Sequence, residues 1–351
     1  MAEICLGLIV LGLTAYAVLG GADFGSGFWD LTAGGDARGG RVRGMVQRSM
    51  SPVWEANHVW LIFVLVITWT AFPVAFGAIF ETLAVPLFLA ALGIIMRGTA
   101  FVLRGQAATM NEARFLGAGF AISSVLLPFF LGAALGGVVS GRVDVDAPAA
   151  SADAWLNETS IAIGILAVLT GAYLSAVYMA GDARRAGLPD LVKAFRARAL
   201  GAGAVTGAAA AGALLVLRSD ARPLFDGLTS GSGLVAVIVS ALAGLATFAL
   251  VWTERFEPAR FTAAAAVGAT IVGWWVATRP DLLPGEITID EAAAPDATLT
   301  ALVVSVGLGM LILIPSLIYL YRLVLRGTLD QAYEPLDQRF RPLSSGDEDP
   351  A

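Results

Sequence analysis

Repeated apolar stretches, several of them longer than about 18 residues, a length that a water-soluble core rarely needs, constrain this chain more than any other feature. At about 1.5 Å per helical residue, some 20 such residues cross a bilayer's hydrocarbon. The composition agrees: 57% of the 351 residues are hydrophobic and 14% are charged, where a soluble domain carries about 25% charged residues. Mean hydropathy is +0.77. Forty glycines fit helices that approach closely in lipid, where small residues let backbones meet. The single cysteine, Cys5, excludes an internal disulfide and any cysteine-held cluster. A net charge of -6 says little about partners, and nothing points to nucleic acid.

The expected fold class is all-α, a polytopic membrane protein of nine transmembrane helices. The spans run over 3–30, 52–79, 82–104, 114–138, 158–181, 195–217, 231–253, 260–279 and 297–325. Residues 1–30 lack a basic leader and a clean cleavage site, and read as a retained first helix. Pro73, Pro86, Pro128 and Pro315 mark expected kinks whose freed carbonyls find neighbouring partners. Alternate loops carry 17 of the 22 basic residues, the other side four, and Arg97 lies within a span. The positive-inside rule then puts the N-terminus outside and the C-terminus in the cytoplasm, at the plasma membrane of a prokaryote. Residues 1–330 form the transmembrane helical domain; 331–351 form a cytoplasmic tail whose end, "LSSGDEDPA", reads as disordered.

Charged groups inside a span cost at least about 2.5–3.5 kcal/mol on insertion scales, so each needs a reason. Asp23 lies in "GGADFGSG" of the first span, Glu55 and His58 in "SPVWEANHVWL" of the second, and Arg97 in the third. All four fall in the inner half of the membrane. Glu55 and His58 are three residues apart and share a helix face. They form either a buried, satisfied network in which Arg97 pairs with Asp23 or Glu55, or a proton relay open to the cytoplasm. As a haem ligand His58 lacks the second histidine of a bis-histidine site. Trp54 suits the inner-interface aromatic belt, and the Gly21–Gly25 pair suits tight packing around Asp23.

These residues resemble a known family. "GGADFGSGFWDL", then "SPVWEANHVWLIFVLVITWTAFPVAF", then "IMRGTAFVLRG" are similar to the "GFDFGVG", "PVWDGNEVWL" and "FRxxAFEFR" segments of subunit II of the cytochrome bd-type quinol oxidases. "LLPGEITIDEAAAPDATLTALV" resembles an eroded form of that family's late motif. The matching positions are Asp23, Trp54, Glu55 (aspartate in the pattern), Asn57, Trp60 and Arg97. Val102 replaces the acidic residue of "FEFR", and His58 stands where many members have glutamate or glutamine, so the branch is divergent.

The resemblance implies a haem-free integral subunit of a quinol:oxygen oxidoreductase that reduces oxygen to water. No cofactor is ligated by this chain. Haem b and haem d, or a further haem b, and the quinol site belong to the haem-bearing subunit I. A bound quinone or lipid and small single-span subunits are compatible with it. Carried over, Glu55 with Asp23 and His58 supplies a cytoplasmic proton path, and Arg97, Asn57 and Trp54 hold the network. The alternative of another class is a proton-coupled secondary transporter, which also uses intramembrane carboxylates and interrupted helices. A third reading is a structural anchor for a catalytic partner.

Overall fold

The computed structural model describes residues 1–50 and 54–325. The expected tail, 331–351, and Ser51 to Val53 of the second motif lie outside the described residues. The first span is a continuous helix in which α1 (Ala2–Ala15) and α2 (Gly21–Leu31) are joined by a π-helical turn, Tyr16–Gly20. There follow α3 (Asp36–Met50), α4 (Trp54–Ala71), α5 (Pro73–Thr82), α6 (Ala84–Gly105), α7 (Met110–Val139), α8 (Glu158–Arg185) and α9 (Pro189–Asp220). The chain continues with α10 (Arg222–Leu228), α11 (Gly231–Trp252), α12 (Phe256–Thr278), the hairpin β1 (Asp281–Leu283) and β2 (Ile287–Thr288), α13 (Ile289–Ala292) and α14 (Asp296–Leu325). Among the described residues eight helices are long and apolar enough to cross a membrane, or nine if the bent pair of α3 and α4 is one span. The polytopic all-α expectation holds.

The differences from the expected spans lie where polar chemistry interrupts them. The second span is broken: Pro73 starts α5, because its ring supplies the helical φ but no N–H. The Ala71 carbonyl at the end of α4 accepts a hydrogen bond from the Ala294 amide at 2.8 Å, so the segment before α14 closes the break. Pro128 and Pro315 stay inside α7 and α14. The arginine-bearing first loop contains α3, and the late loop is ordered as the hairpin and α13.

α2 lies between α7 and α8, and glycines set the distance. A Cβ on Gly25 would lie 1.9 Å from the Gly171 carbonyl oxygen of α8, and one on Gly27 would lie 2.2 Å from the Ser124 Cβ of α7. Trp29 fixes the register by donating its indole N–H to the Ala172 carbonyl at 2.8 Å. Among the described residues the two larger of four buried apolar clusters form around this packing. One collects Val46, Leu174, Val177, Phe195 and Phe256 from α3, α8, α9 and α12. The other collects Cys5, Ile67, Phe72, Leu83 and Leu299 with the hairpin residue Leu283.

Candidate functional site

The close packing of α2 brings Asp23 into the protein interior, 8% exposed, beside Asn57 at 3% and Arg97 at 1%. Asn57 on α4 donates its side-chain N–H to the Asp23 carboxylate and to the Leu19 carbonyl. Leu19 belongs to the π-helical turn, where main-chain groups leave the usual i+4 register. Arg97 on α6 reaches across: its Nη2 donates to the Asp23 main-chain oxygen at 3.0 Å and its Nε to Ser124 Oγ at 3.1 Å. Ser26 donates to the same Asp23 carbonyl at 2.5 Å.

The Arg97 guanidinium also lies between two rings, with Cζ 5.1 Å from the Phe24 centroid and 5.2 Å from that of Phe120. A buried cation is tolerable only with hydrogen bonds, a counter-charge and polarisable surroundings, and Arg97 has all three.

His58 is half-buried at the side of this centre. Its Nδ1 lies 3.5 Å from Tyr16 Oη, at the outer limit of a hydrogen bond. Its ring sits 6.1 Å from Tyr16, 6.2 Å from Phe24 and 6.3 Å from Trp54. Trp54 packs in turn on Phe101, with centroids 5.6 Å apart. Among the described residues no group of three or more His, Cys, Asp or Glu side chains is placed to hold a metal ion.

Glu55 stands apart. It is exposed, while Asn57, two residues on, is buried. Of the six residues singled out from sequence, the fold therefore joins Asp23, Asn57 and Arg97 directly, and sets His58 and Trp54 against them. Glu55 occupies a different face of α4. That face continues through Val59, Ile62, Val66 and Trp69, all of them exposed in this chain.

A second polar layer escaped the sequence analysis. Asp30, 3% exposed, accepts from Arg43 Nε at 3.0 Å and from Arg104 Nη1. Asp30 and Arg104 follow Asp23 and Arg97 at the same spacing of seven residues, about two helical turns, so each pair lies along one face of its helix. On α7, Gly117 and Ser124 repeat that interval. The signal was present in the sequence as this shared spacing. It was masked because Arg104 reads as a loop cation and Asp30 as the end of a span.

The profile of the family described as cytochrome bd terminal oxidase subunit II matches residues 1–324. A putative cytochrome bd menaquinol oxidase subunit II of Bacillus subtilis is 22% identical over 322 residues, covering 89% of this chain and 92% of that protein. Cytochrome bd-I ubiquinol oxidase subunit 2 of Escherichia coli is 26% identical over 136 residues, covering 39% of this chain and 34% of the relative. In fold, the chain is similar to a chain of the bd oxidase from Geobacillus thermodenitrificans, with a TM-score of 0.76, 24% identity and coverage of 92% and 98%.

Proposed function

Because this chain belongs to the family of cytochrome bd terminal oxidase subunit II, we propose that it supplies protons to its complex through Glu55, backed by the buried centre around Asp23. As a member of that family, the chain is a multi-pass subunit of a quinol oxidase complex, and catalysis sits with the complex. The complex contains haems and a subunit I, and membership leaves the transporter alternative without support.

The observation that carries the proposal is the company Glu55 keeps. It is exposed on the same stripe of α4 as Val59 at 39%, Ile62 at 59%, Val66 at 47% and Trp69 at 64%. In the membrane, lipid or protein must cover such a stripe. Lipid is a poor cover for a carboxylate, at about 2.5–3.5 kcal/mol or more. A protein surface with its own polar groups is a good one. The haem-bearing subunit I is therefore assigned to the face of α4, and Glu55 is the group of this chain that meets it.

Behind Glu55, His58 lies one helical turn deeper, with Asn57 and Asp23 beyond it. Asp23 is held by Asn57, and its backbone by Arg97 and Ser26. These bonds hold Asp23 rigidly, and Glu55, exposed on the stripe of α4, is the carboxylate to which the proposal gives proton transfer. The haems are the electron-transferring groups of the complex. In this proposal haem b and haem d, or a second haem b, are held by subunit I, and the residues of this chain position and deliver protons only. The cell membrane of a prokaryote, with the arginine-rich loops in the cytoplasm, is the corresponding location.

The test replaces Glu55 with Gln in the assembled complex and measures quinol-driven oxygen consumption alongside the reduced-minus-oxidised haem spectrum. We expect turnover to fall by about tenfold or more, the scale of a lost proton-transfer group, with the haem spectrum unchanged. Wild-type turnover would remove Glu55 from proton delivery and leave the chain a structural anchor.

A further inference from the structure

Two neighbouring side chains of α4 reach the same turn of the first helix. Asn57 donates to the Leu19 carbonyl at 3.4 Å, and His58 Nδ1 lies 3.5 Å from Tyr16 Oη. Tyr16 and Leu19 both belong to the π-helical turn Tyr16–Gly20. Such turns are rare and gather at functional sites. We propose that Tyr16 is a positioning residue for the proton delivery assigned above to Glu55, on which this role rests. Its hydroxyl holds the His58 imidazole by Nδ1 and leaves Nε2 to serve the transfer.

Burial singles out the hydroxyl. Tyr16 is 6% exposed and packs with Phe24, Ala90 and Leu127. A phenylalanine would fill that apolar cluster with no polar atom to satisfy. A phenol buried there needs a hydrogen-bond partner. Among the described residues, the partner that its oxygen meets is His58 Nδ1. At 3.5 Å the contact is long, as functional hydrogen bonds often are before the reacting complex tightens them.

The surroundings fix both rings. Gly20 lets the Tyr16 ring lie along its own helix, because a Cβ there would come within 3.1 Å of the ring. Phe24 meets the same ring edge to face, with centroids 5.8 Å apart. The imidazole stands among Tyr16, Phe24 and Trp54, and Trp54 is itself held by Phe101 and by Gly98, where a Cβ would touch the indole at 3.4 Å. These walls are aromatic and offer the imidazole one hydroxyl. The two ring nitrogens are distinct, and the hydrogen bond made at one decides what the other offers. With Nδ1 turned to the first helix, Nε2 lies on the other edge of the ring.

The test uses the assembled complex carrying Tyr16→Phe, His58→Gln or both. Quinol-driven oxygen consumption gives kcat and KM, and mass spectrometry of peptides follows deuterium exchange at the imidazole C2–H. This chain has one histidine, so in its peptides that signal comes from residue 58. We expect Tyr16→Phe to lower kcat about five- to tenfold, the scale of one lost hydrogen bond, with the quinol KM unchanged. The C2 exchange rate of His58 should shift from its wild-type value. In the His58→Gln background, Tyr16→Phe should cost nothing further. Equal losses in both backgrounds would make Tyr16 a packing residue and overturn the assignment. An unchanged His58 exchange rate, or wild-type kcat in Tyr16→Phe, would overturn it too. Glu55→Gln tests proton delivery independently. If Glu55→Gln is slow and Tyr16→Phe is not, delivery through Glu55 stands and the role of Tyr16 falls. If Glu55→Gln turns over normally while Tyr16 and His58 remain coupled, the pair serves a route without Glu55. Should Tyr16→Phe fail to assemble, Gly20→Ala decides by the same readouts, since it displaces the Tyr16 ring and keeps the hydroxyl.

Discussion

At the scale of the residue, two carboxylates in neighbouring motifs do different work because one is enclosed and the other is not. Asp23 is buried beside Arg97 and bonded to Asn57. Replacing it with Asn keeps the shape but removes the negative charge next to a buried guanidinium. Breaking a buried charge pair in this way costs about 3–5 kcal/mol. Thermal unfolding of the complex carrying Asp23→Asn is therefore expected to show a clear fall in melting temperature. The Glu55→Gln complex should melt closer to wild type, because Gln keeps the size of a side chain that is exposed in this chain. If Asp23→Asn melts normally, Arg97 draws its counter-charge from elsewhere.

At the scale of the element, helix position is set by main-chain approach as much as by apolar side chains. Gly25 lets α2 touch α8 at Gly171, with Trp29 pinned to Ala172 one turn on. Gly25→Ala drives a methyl into a backbone carbonyl that cannot move aside. It is expected to cost about 2–3 kcal/mol, at the upper end of overpacking. The loss should appear as lower melting and, because Asp23 rides on the same helix, as lower turnover. Unchanged melting would mean that α2 and α8 can separate freely.

Outside the membrane, α13 is held by a reciprocal cap in which Glu291 accepts from the Thr288 amide and hydroxyl, and Thr288 accepts from the Glu291 amide. Those hydrogen bonds hold the Glu291 carboxyl below its ordinary value of 4.5. A depressed folded-state value means that the cap is fully stabilising above the unfolded value and is lost as pH falls through the folded one. Hydrogen exchange over 288–292, corrected for intrinsic rates, should thus stay protected near pH 5 and loosen only below the usual carboxylate range. Loosening that begins well above that range would assign the protection to the hairpin instead.

At the scale of the whole molecule, the large exposed side chains fall into surfaces with different covers. Besides the stripe of α4 that contains Glu55, α5 exposes Val74 and Phe80, and α6 exposes Phe88 and Ile95. α11 exposes Leu242 and Leu245 and carries no charged residue. In the proposed complex, subunit I covers the stripe of α4 and lipid covers α11. A probe on Cys at position 62, in a chain with Cys5→Ala, should be shielded from brominated lipid in the complex. The same probe on Leu242→Cys should be quenched. Equal quenching at both positions would remove the subunit contact from α4 and, with it, the route proposed for Glu55.

How much was legible in the sequence follows from the range of the forces. Membrane-spanning helices were legible because hydrocarbon demands internally bonded, apolar segments, a demand written locally along the chain. Asp23, Glu55, His58 and Arg97 stood out by the same logic, as charges where none should be. The break at Pro73 was readable as a proline, but the amide that caps it comes from Ala294, far along the chain. Only the tertiary structure decided which of those charges meet. The azimuth of α4 turns Asn57 inward and Glu55 outward, and the contacts of Gly25 and Gly27 set the depth at which Asp23 reaches Arg97 and Ser124. Sequence spacing gives a side chain its angle around its own helix. The angle of that helix against its neighbours comes from packing summed over the whole bundle, which no single segment contains.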